Sequence, residues 1–413
     1  MLRNRVARTV GAVAVALGLV VTAAAAPALS AAPPIPEDDP FFAAPADLAA
    51  LAPGQVVRSR PVTIKAFELP VPADAWQLVY RTSDRLGRPT VTGTTVIVPR
   101  TPWRGRGPRP LVSYQTAEDG VSTRCAPSYA LTAGVAGGFT GSYSEAPVLL
   151  GPLSLGWALS VPDYEGMASQ FLVADVAAKA VLDGVRAARS FAPAALASSP
   201  VALWGYSGGA FASANAAQLQ ASYAPELPMR GVALGGLLGS VRATIDAFDG
   251  SIAGSAVPMG VHGLARSYPE LDLPQYLNDL GRDLYAATAA DCLFDAAARR
   301  PFLRVSQITR VPQPFDVPAV AAMLRANSPQ FRPGAPTAPV YEYHTLLDEF
   351  APIGPARATL RNYCAAGTPV QHATKLLGEH LTEIVAGIPG ALAFLSARFA
   401  GRAPVDGCAG LRR

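Results

Sequence analysis

Residues 201–212 read Val-Ala-Leu-Trp-Gly-Tyr-Ser-Gly-Gly-Ala-Phe-Ala, and this dozen constrains the fold more than any other stretch. An apolar, strand-like run ends in Gly205-Tyr206-Ser207-Gly208-Gly209, a G-x-S-x-G, and a helix-like stretch with Ala210, Ala212, Ala214, Ala216 and Ala217 follows at once. A strand that turns straight into a helix leaves the central side chain on a sharp, strained bend, where only small neighbours avoid a clash. Gly205, Gly208 and Gly209 meet that need. Ser207 is therefore the candidate nucleophile, and the first backbone amides of the following helix, Gly208 among them, face negative charge that develops beside it. A bare G-x-S-x-G also fits a glycine-rich turn; the strand before it and the helix after it decide for the nucleophile.

The rest of the chain supplies a frame for that turn. Residues 76–82 and 90–98 read as strands joined at Leu86-Gly87-Arg88-Pro89, the second carrying the β-branched run Thr94-Thr95-Val96-Ile97-Val98. Short apolar runs at 110–115, 157–161 and 201–204 read as buried strands. Between the last two, residues 171–191 place Val173, Val176, Ala177, Ala180, Val181 and Val185 at helical spacing, which makes a β-α-β unit. Strands alternating with helices predict a mostly parallel, doubly wound α/β sheet covered on both faces. From 237 to 335 the pattern turns to helices, such as 275–287 and 317–326, and predicts a helical insertion. Strands at 339–344 and 369–375 and helices at 356–366 and 384–399 then complete the core. The predicted layout is an N-terminal arm rich in Pro and Ala at 32–53, core at 54–236, insertion at 237–335 and core again at 336–413.

A serine hydroxyl is a poor nucleophile without a base, and histidine is the side chain matched to neutral pH. The chain has four histidines. His262 falls in the insertion, His344 and His372 inside predicted strands, and His380 in the loop leaving the last strand, where a base belongs. The acid that orients it belongs after the preceding strand, so Asp348 is the candidate and Glu349 the fallback.

Arg3, Arg5 and Arg8 followed by the apolar run 10–21 read as a secretory leader. Ala23-Ala24-Ala25 and Ala28-Leu29-Ser30 offer small-x-small cleavage sites between residues 25 and 32, and the apolar run is shorter than the roughly 20 residues that span a bilayer. Export favours disulfides, and four cysteines permit three pairings. The expected set is Cys125 with Cys292, pinning a distal segment to the early core, and Cys364 with Cys408, tying down the last 50 or so residues. No C-x-x-C is present, so a zinc cluster lacks its usual ligand spacing. Against 34 basic residues stand 30 acidic ones; without the three leader arginines about +1 remains, which gives nucleic acid nothing to bind.

With Ser207, Asp348 and His380 placed, residues 60–405 resemble the secretory lipase family, the lipase-A-like α/β-hydrolases of fungi and actinomycetes. The resemblance rests on Tyr114-Gln115 followed by Glu118-Asp119, on Cys125-Ala126-Pro127-Ser128-Tyr129, and on Asp163-Tyr164-Glu165-Gly166. It continues in Leu182-Asp183-Gly184-Val185-Arg186, in Asp348-Glu349 with Pro352, and in Glu379-His380-Leu381-Thr382. It implies an α/β-hydrolase fold whose helical insertion is a lid over the site, with no cofactor. It also implies an oxyanion hole made by the backbone amides of Asp119 and Gly208; the residues alone supply only Gly208.

The expected activity is that of a secreted carboxylic-ester hydrolase acting on acylglycerols or other lipid esters, partnered by a lipid or a lipid–water interface. A short-chain carboxylesterase or an acyltransferase would use the same three residues. A serine peptidase fits the motifs less well, and a non-catalytic binding protein on the same scaffold would not need them.

Overall fold

A computed structural model describes residues 32–411, so the expected leader lies outside the described residues. Among them, nine strands form one sheet: β1 (Val56–Val62), β2 (Ala73–Ser83), β3 (Pro89–Pro99), β4 (Leu111–Gln115), β5 (Ala158–Pro162), β6 (Val201–Tyr206), β7 (Met229–Gly235), β8 (Val340–Thr345) and β9 (Val370–Lys375). Their order is β1-β2-β3-β5-β4-β6-β7-β8-β9. The pairings β1–β2, β2–β3 and β3–β5 are antiparallel, and every pairing from β5 onward is parallel. This is the α/β-hydrolase fold, with a mostly parallel sheet.

The predicted hairpin is β2 and β3, paired in register from Ala73 with Pro99 to Ser83 with Pro89. The 32–53 arm lies on it, with Phe42 and Leu48 buried in a cluster with Val79 and Val91. The central strands β4, β5, β6 and β8 are buried along their whole length, which is why they read as apolar runs without alternation. Helices Ala174–Ser190 and Gly208–Tyr223 cover one face, as the buried residues Val181, Val185, Phe211 and Ala214 record. On the other face Leu149, Leu153, Phe394 and Leu395 of helices Ala146–Ser154 and Ile388–Phe399 pack on Val112, Trp204 and Tyr341.

Three elements depart from the sequence reading. Strand β1 is an added edge strand, half-buried and interrupted by Arg and Pro. Strand β7 carries Gly231 and Gly235, which weaken its β signature; a methyl at Gly235 would fall 2.2 Å from Cζ of Tyr343. The expected helix 384–399 is two helices, His380–Ala386 and Ile388–Phe399, because Pro389 in the first turn of the second cannot continue the first.

Between Gly235 and Val340 the chain adds no strand to the sheet and runs mainly as helices, among them Val241–Phe248, Ala256–Ser267, Asp279–Ala287 and Pro318–Ala326. Cys125 is bonded to Cys292, with Cα atoms 5.6 Å apart, and Cys364 to Cys408, 5.7 Å apart. The second bond fastens the C-terminal segment to helix Ile353–Ala365.

Candidate active site

Strand β6 ends at Tyr206 and the helix Gly208–Tyr223 begins two residues later, which leaves Ser207 alone on the bend at φ 54°, ψ −120°. A non-glycine residue at positive φ is strained, and here the surroundings hold it. The Ser207 N–H donates to the Gly235 carbonyl of β7 at 2.8 Å. A methyl at Gly205 would collide with the Gly209 carbonyl at 2.2 Å, and one at Gly209 with the Gln115 carbonyl at 1.9 Å, so neither position admits a side chain.

The loops after β8 and β9 bring Asp348 and His380 to this bend. The Ser207 hydroxyl donates to Nε2 of His380 at 2.8 Å, and Nδ1–H of His380 lies 2.8 Å from both carboxylate oxygens of Asp348. A carboxylate only accepts, so the proton on Nδ1 leaves Nε2 free to accept from Ser207. Asp348 also receives the N–H groups of Phe350 and Ala351. Burial alone would push its carboxyl up; the bond and charge of His380, the Ala351 N–H and the charge of His344 outweigh it and hold the group below the usual carboxylate range.

Glu349, the fallback acid, is exposed and accepts the backbone N–H of His380 at 3.1 Å, not the imidazole. His380 itself is the first residue of a short helix rather than part of a loop; Glu379 caps it by accepting the N–H groups of Leu381 and Thr382. The other histidines stand apart from Ser207. The ring of His262 stacks on Tyr285, His372 is half-buried in β9, and His344 is buried in β8 behind Asp348.

Asp119 sits at the opposite side of Ser207, in the loop after β4, at φ 31°. Its side chain is buried, and burial pushes its carboxyl up to about 6 although the charge of His380 pulls it down. The motifs that surround it in sequence also surround it in space. Glu145 accepts the Ala117 N–H, the Tyr164 hydroxyl accepts the Glu118 N–H, and Glu118 accepts the Glu165 N–H. Asp163 accepts both the N–H and the hydroxyl of Ser128. The Asp119 carbonyl accepts the N–H of Leu293, and Gly120 bridges to Cys292, so the Cys125–Cys292 bond staples this loop to the helical segment. Glu145 was not marked in the sequence; it is buried, lines the pocket, and is pushed by burial to about 8 against the bonds from Tyr114 and Ala117.

Ser207, His380 and Asp119 line a narrow cavity walled mostly by apolar groups. A second narrow apolar cavity lies among the helices of the 236–339 segment, and Phe171, Leu172, Thr244 and Phe248 line both. Four exposed leucines crown the two loops: Leu346 and Leu347 immediately precede Asp348, and Leu376 and Leu377 lie just before His380. Among the described residues no single helix is long and apolar enough to cross a membrane.

An α/β-hydrolase sheet with a serine on the strand-to-helix bend, hydrogen-bonded to histidine and through it to aspartate, is the arrangement that serine-type hydrolases use. A family model described as Secretory lipase matches residues 139–407. The chain is 33% identical to Lipase 5 of Candida albicans, covering 92% of this chain and 84% of that one. It is 34% identical to Lipase A of Arthroderma benhamiae, covering 91% and 82%. A Mycobacterium tuberculosis relative, 34% identical with 91% of this chain covered, is described as a probable inactive lipase. Among solved structures, Candida antarctica lipase A in its closed state superposes with a TM-score of 0.82 at 29% identity, covering 92% of this chain and 91% of that one. The chain belongs to the secretory lipase family and is an ester hydrolase.

Proposed function

We propose that the protein is exported and acts as a lipase on triacylglycerols or related lipid esters through an acyl-enzyme on Ser207. Oγ of Ser207 attacks the ester carbonyl while its proton passes to Nε2 of His380, and Asp348 stabilises the resulting imidazolium. The backbone amides of Asp119 and Gly208 donate to the oxyanion. The C–O bond to the alcohol breaks as His380 returns the proton to the leaving oxygen. Water then attacks the acyl-enzyme, again giving a proton to His380, and the fatty acid leaves as Ser207 recovers its hydrogen.

The observation that carries this reading is the unbroken chain of hydrogen bonds from Ser207 to Asp348 opening onto an apolar cavity. The helical segment 237–335 acts as the lid, its inner faces lining the adjoining apolar cavity. Leu346, Leu347, Leu376 and Leu377 at the loops carrying Asp348 and His380 present the kind of exposed apolar patch that seats on a lipid surface.

The test is hydrolysis of p-nitrophenyl esters from short to long chains and of emulsified triglyceride, run beside Ser207→Ala. Cleavage of long chains and emulsion that is lost in the variant is the expected result. Activity confined to short esters makes the protein a carboxylesterase, and failure of an organophosphonate to label Ser207 makes it a silent scaffold.

A further inference from the structure

Behind Asp348 lies a second buried histidine that the chemistry above leaves unused. His344 in β8 is fully buried, and both its ring nitrogens meet acceptors: Nδ1 lies 2.7 Å from Oε1 of Glu342 and Nε2 lies 2.7 Å from the carbonyl oxygen of Ala351. Nε2 is also 3.4 Å from Oδ2 of Asp348. A carbonyl cannot donate, so Nε2 carries a hydrogen. One further proton lies between Nδ1 and the Glu342 carboxyl, and its position decides whether the pair is neutral or an ion pair.

Asp348 supplies the argument. Its carboxylate is buried and accepts the N–H groups of Phe350 and Ala351, and a positive charge that persists while His380 is neutral stabilises its ionised form further. Glu342, itself 2% exposed, makes no other ion pair among the described residues. We propose that His344 is a positioning residue, an imidazolium held between Glu342 and the Ala351 carbonyl, which orients the Asp348 turn and keeps that carboxylate ionised beside His380. Ala351 ties the two together, because its N–H donates to Asp348 while its carbonyl accepts from His344. The proposal rests on reading Ser207, His380 and Asp348 as the catalytic groups. Burial pushes the imidazole of His344 down, but the charge and hydrogen bond of Glu342 and the charge of Asp348 carry it up to about 9, in agreement with the geometry.

The ionisable groups around this pair are few. Asp348 faces His344, and beyond it lie His380 and Glu349. On the neighbouring strand His372 is in register with Glu342. The buried residues of the helix Ile353–Ala365 are Ala356, Thr359, Leu360 and Tyr363, which bring only the phenol of Tyr363.

The positive end of the Glu342–His344 pair, 3.4 Å from Asp348, opposes protonation of the Asp348–His380 pair, so the acid limb of the pH–rate profile lies lower than it would without it. Glu342→Gln tests this with little change of shape, since its amide nitrogen can donate to Nδ1 of a neutral His344 that keeps its bond to Ala351. The acid limb of kcat/KM should move up by roughly half a pH unit or more, with the plateau reduced less than about tenfold. His344→Gln should move it in the same direction. Nitrogen NMR of the imidazoles in Ser207→Ala protein should show His344 with both nitrogens protonated from pH 5 to 8, and neutral in the Glu342→Gln background. A neutral His344 in that spectrum, or an acid limb unmoved by Glu342→Gln, overturns the proposal. Because the spectrum needs no activity, it stands whether or not Ser207→Ala abolishes ester cleavage, and only the latter result bears on the catalytic reading itself.

Discussion

A methyl group on Gly208 would fall 1.9 Å from Oδ1 of Asp119, so the helix that follows Ser207 and the loop after β4 touch with no room for a side chain. On the proposed reading these two residues supply the oxyanion amides, and their close approach leaves the pair little freedom to move apart or together. Gly208→Ala should therefore push the Asp119 loop away and lower kcat by about 10²-fold or more with a smaller change in KM. Adding Asp119→Ala removes the obstructing carboxylate and should restore part of that loss. Steady-state kinetics of the two single variants and the double variant check it; a double variant worse than the product of the singles would count against this account.

Ser207→Ala should lower kcat/KM by at least about 10⁴-fold, and Asp348→Asn by a similar factor, because the asparagine amide no longer dictates which nitrogen of His380 carries the proton. Glu349→Gln should cost far less, since Glu349 meets the backbone of His380 and not its ring. Ester kinetics together with organophosphonate labelling of Ser207 measure all three, and equal losses at 348 and 349 would return the assignment of the acid to doubt.

Leu376 and Leu377 are 72% and 83% exposed beside a site that receives lipid esters. Leu376→Ser with Leu377→Ser should reduce cleavage of emulsified triglyceride several-fold and leave a soluble short-chain ester within about twofold, because seating on an interface depends on apolar area removed from water. Parallel loss on both substrates would place these leucines in turnover instead.

The two disulfides should separate in their effects. Cys125→Ser with Cys292→Ser frees the loop that carries Asp119 and should lower both Tm and kcat. Cys364→Ser with Cys408→Ser loosens only the C-terminal segment and should lower Tm while kcat stays within about threefold. Each loss should lie in the region of 2–5 kcal/mol, as for native disulfides generally. Thermal unfolding and kinetics of both pairs test the contrast.

Stability should fall as pH rises from about 5 to 9. Burial raises Asp119 and Asp163 to about 6 and Glu145 to about 8, from ordinary values of 3.8 and 4.5, and raises Glu118 and Glu165 as well. His344 is raised from 6.5 to about 9 despite its burial, by Glu342. In each case the folded protein binds protons more tightly than the unfolded chain, so stability is lost as pH climbs through the folded value, at about 1.4 kcal/mol per unit of displacement. Asp348 works the other way, being lowered, and its contribution is lost only as pH falls below the carboxylate range. A Tm maximum near pH 5 is expected in a scan of thermal unfolding; a maximum above pH 8 would contradict the buried-acid account.

Much of the site was legible because its chemistry is written in short stretches. The G-x-S-x-G at 205–209, the apolar strand before it and the alanine helix after it are one local structure, and their residues alone account for the strained bend. Asp348 and His380 follow from position relative to the predicted strands, and the structure brings both to Ser207 although the sequence reading lacks strands β1 and β7. Those two were hidden by Arg and Pro on an exposed edge and by glycines in a strand interior. The break at Gly387 has its own local signal in Pro389, which lies inside the expected helix 384–399.

Local residue patterns thus suffice for the bend at Ser207, for the alternation of strands and helices that yields a parallel sheet, and for the segments after β8 and β9 in which an acid and a base belong. These depend on periodicity, glycine and proline, which act within a few residues. It takes the folded chain to show that Asp348 and not Glu349 meets the imidazole, that Asp119 abuts Gly208, and that His344 stands behind Asp348 with Glu342 as its partner. Each of those contacts depends on which way neighbouring side chains turn once strand order and register have brought distant loops together, and burial then sets their charges; neither is a property of any short run of residues.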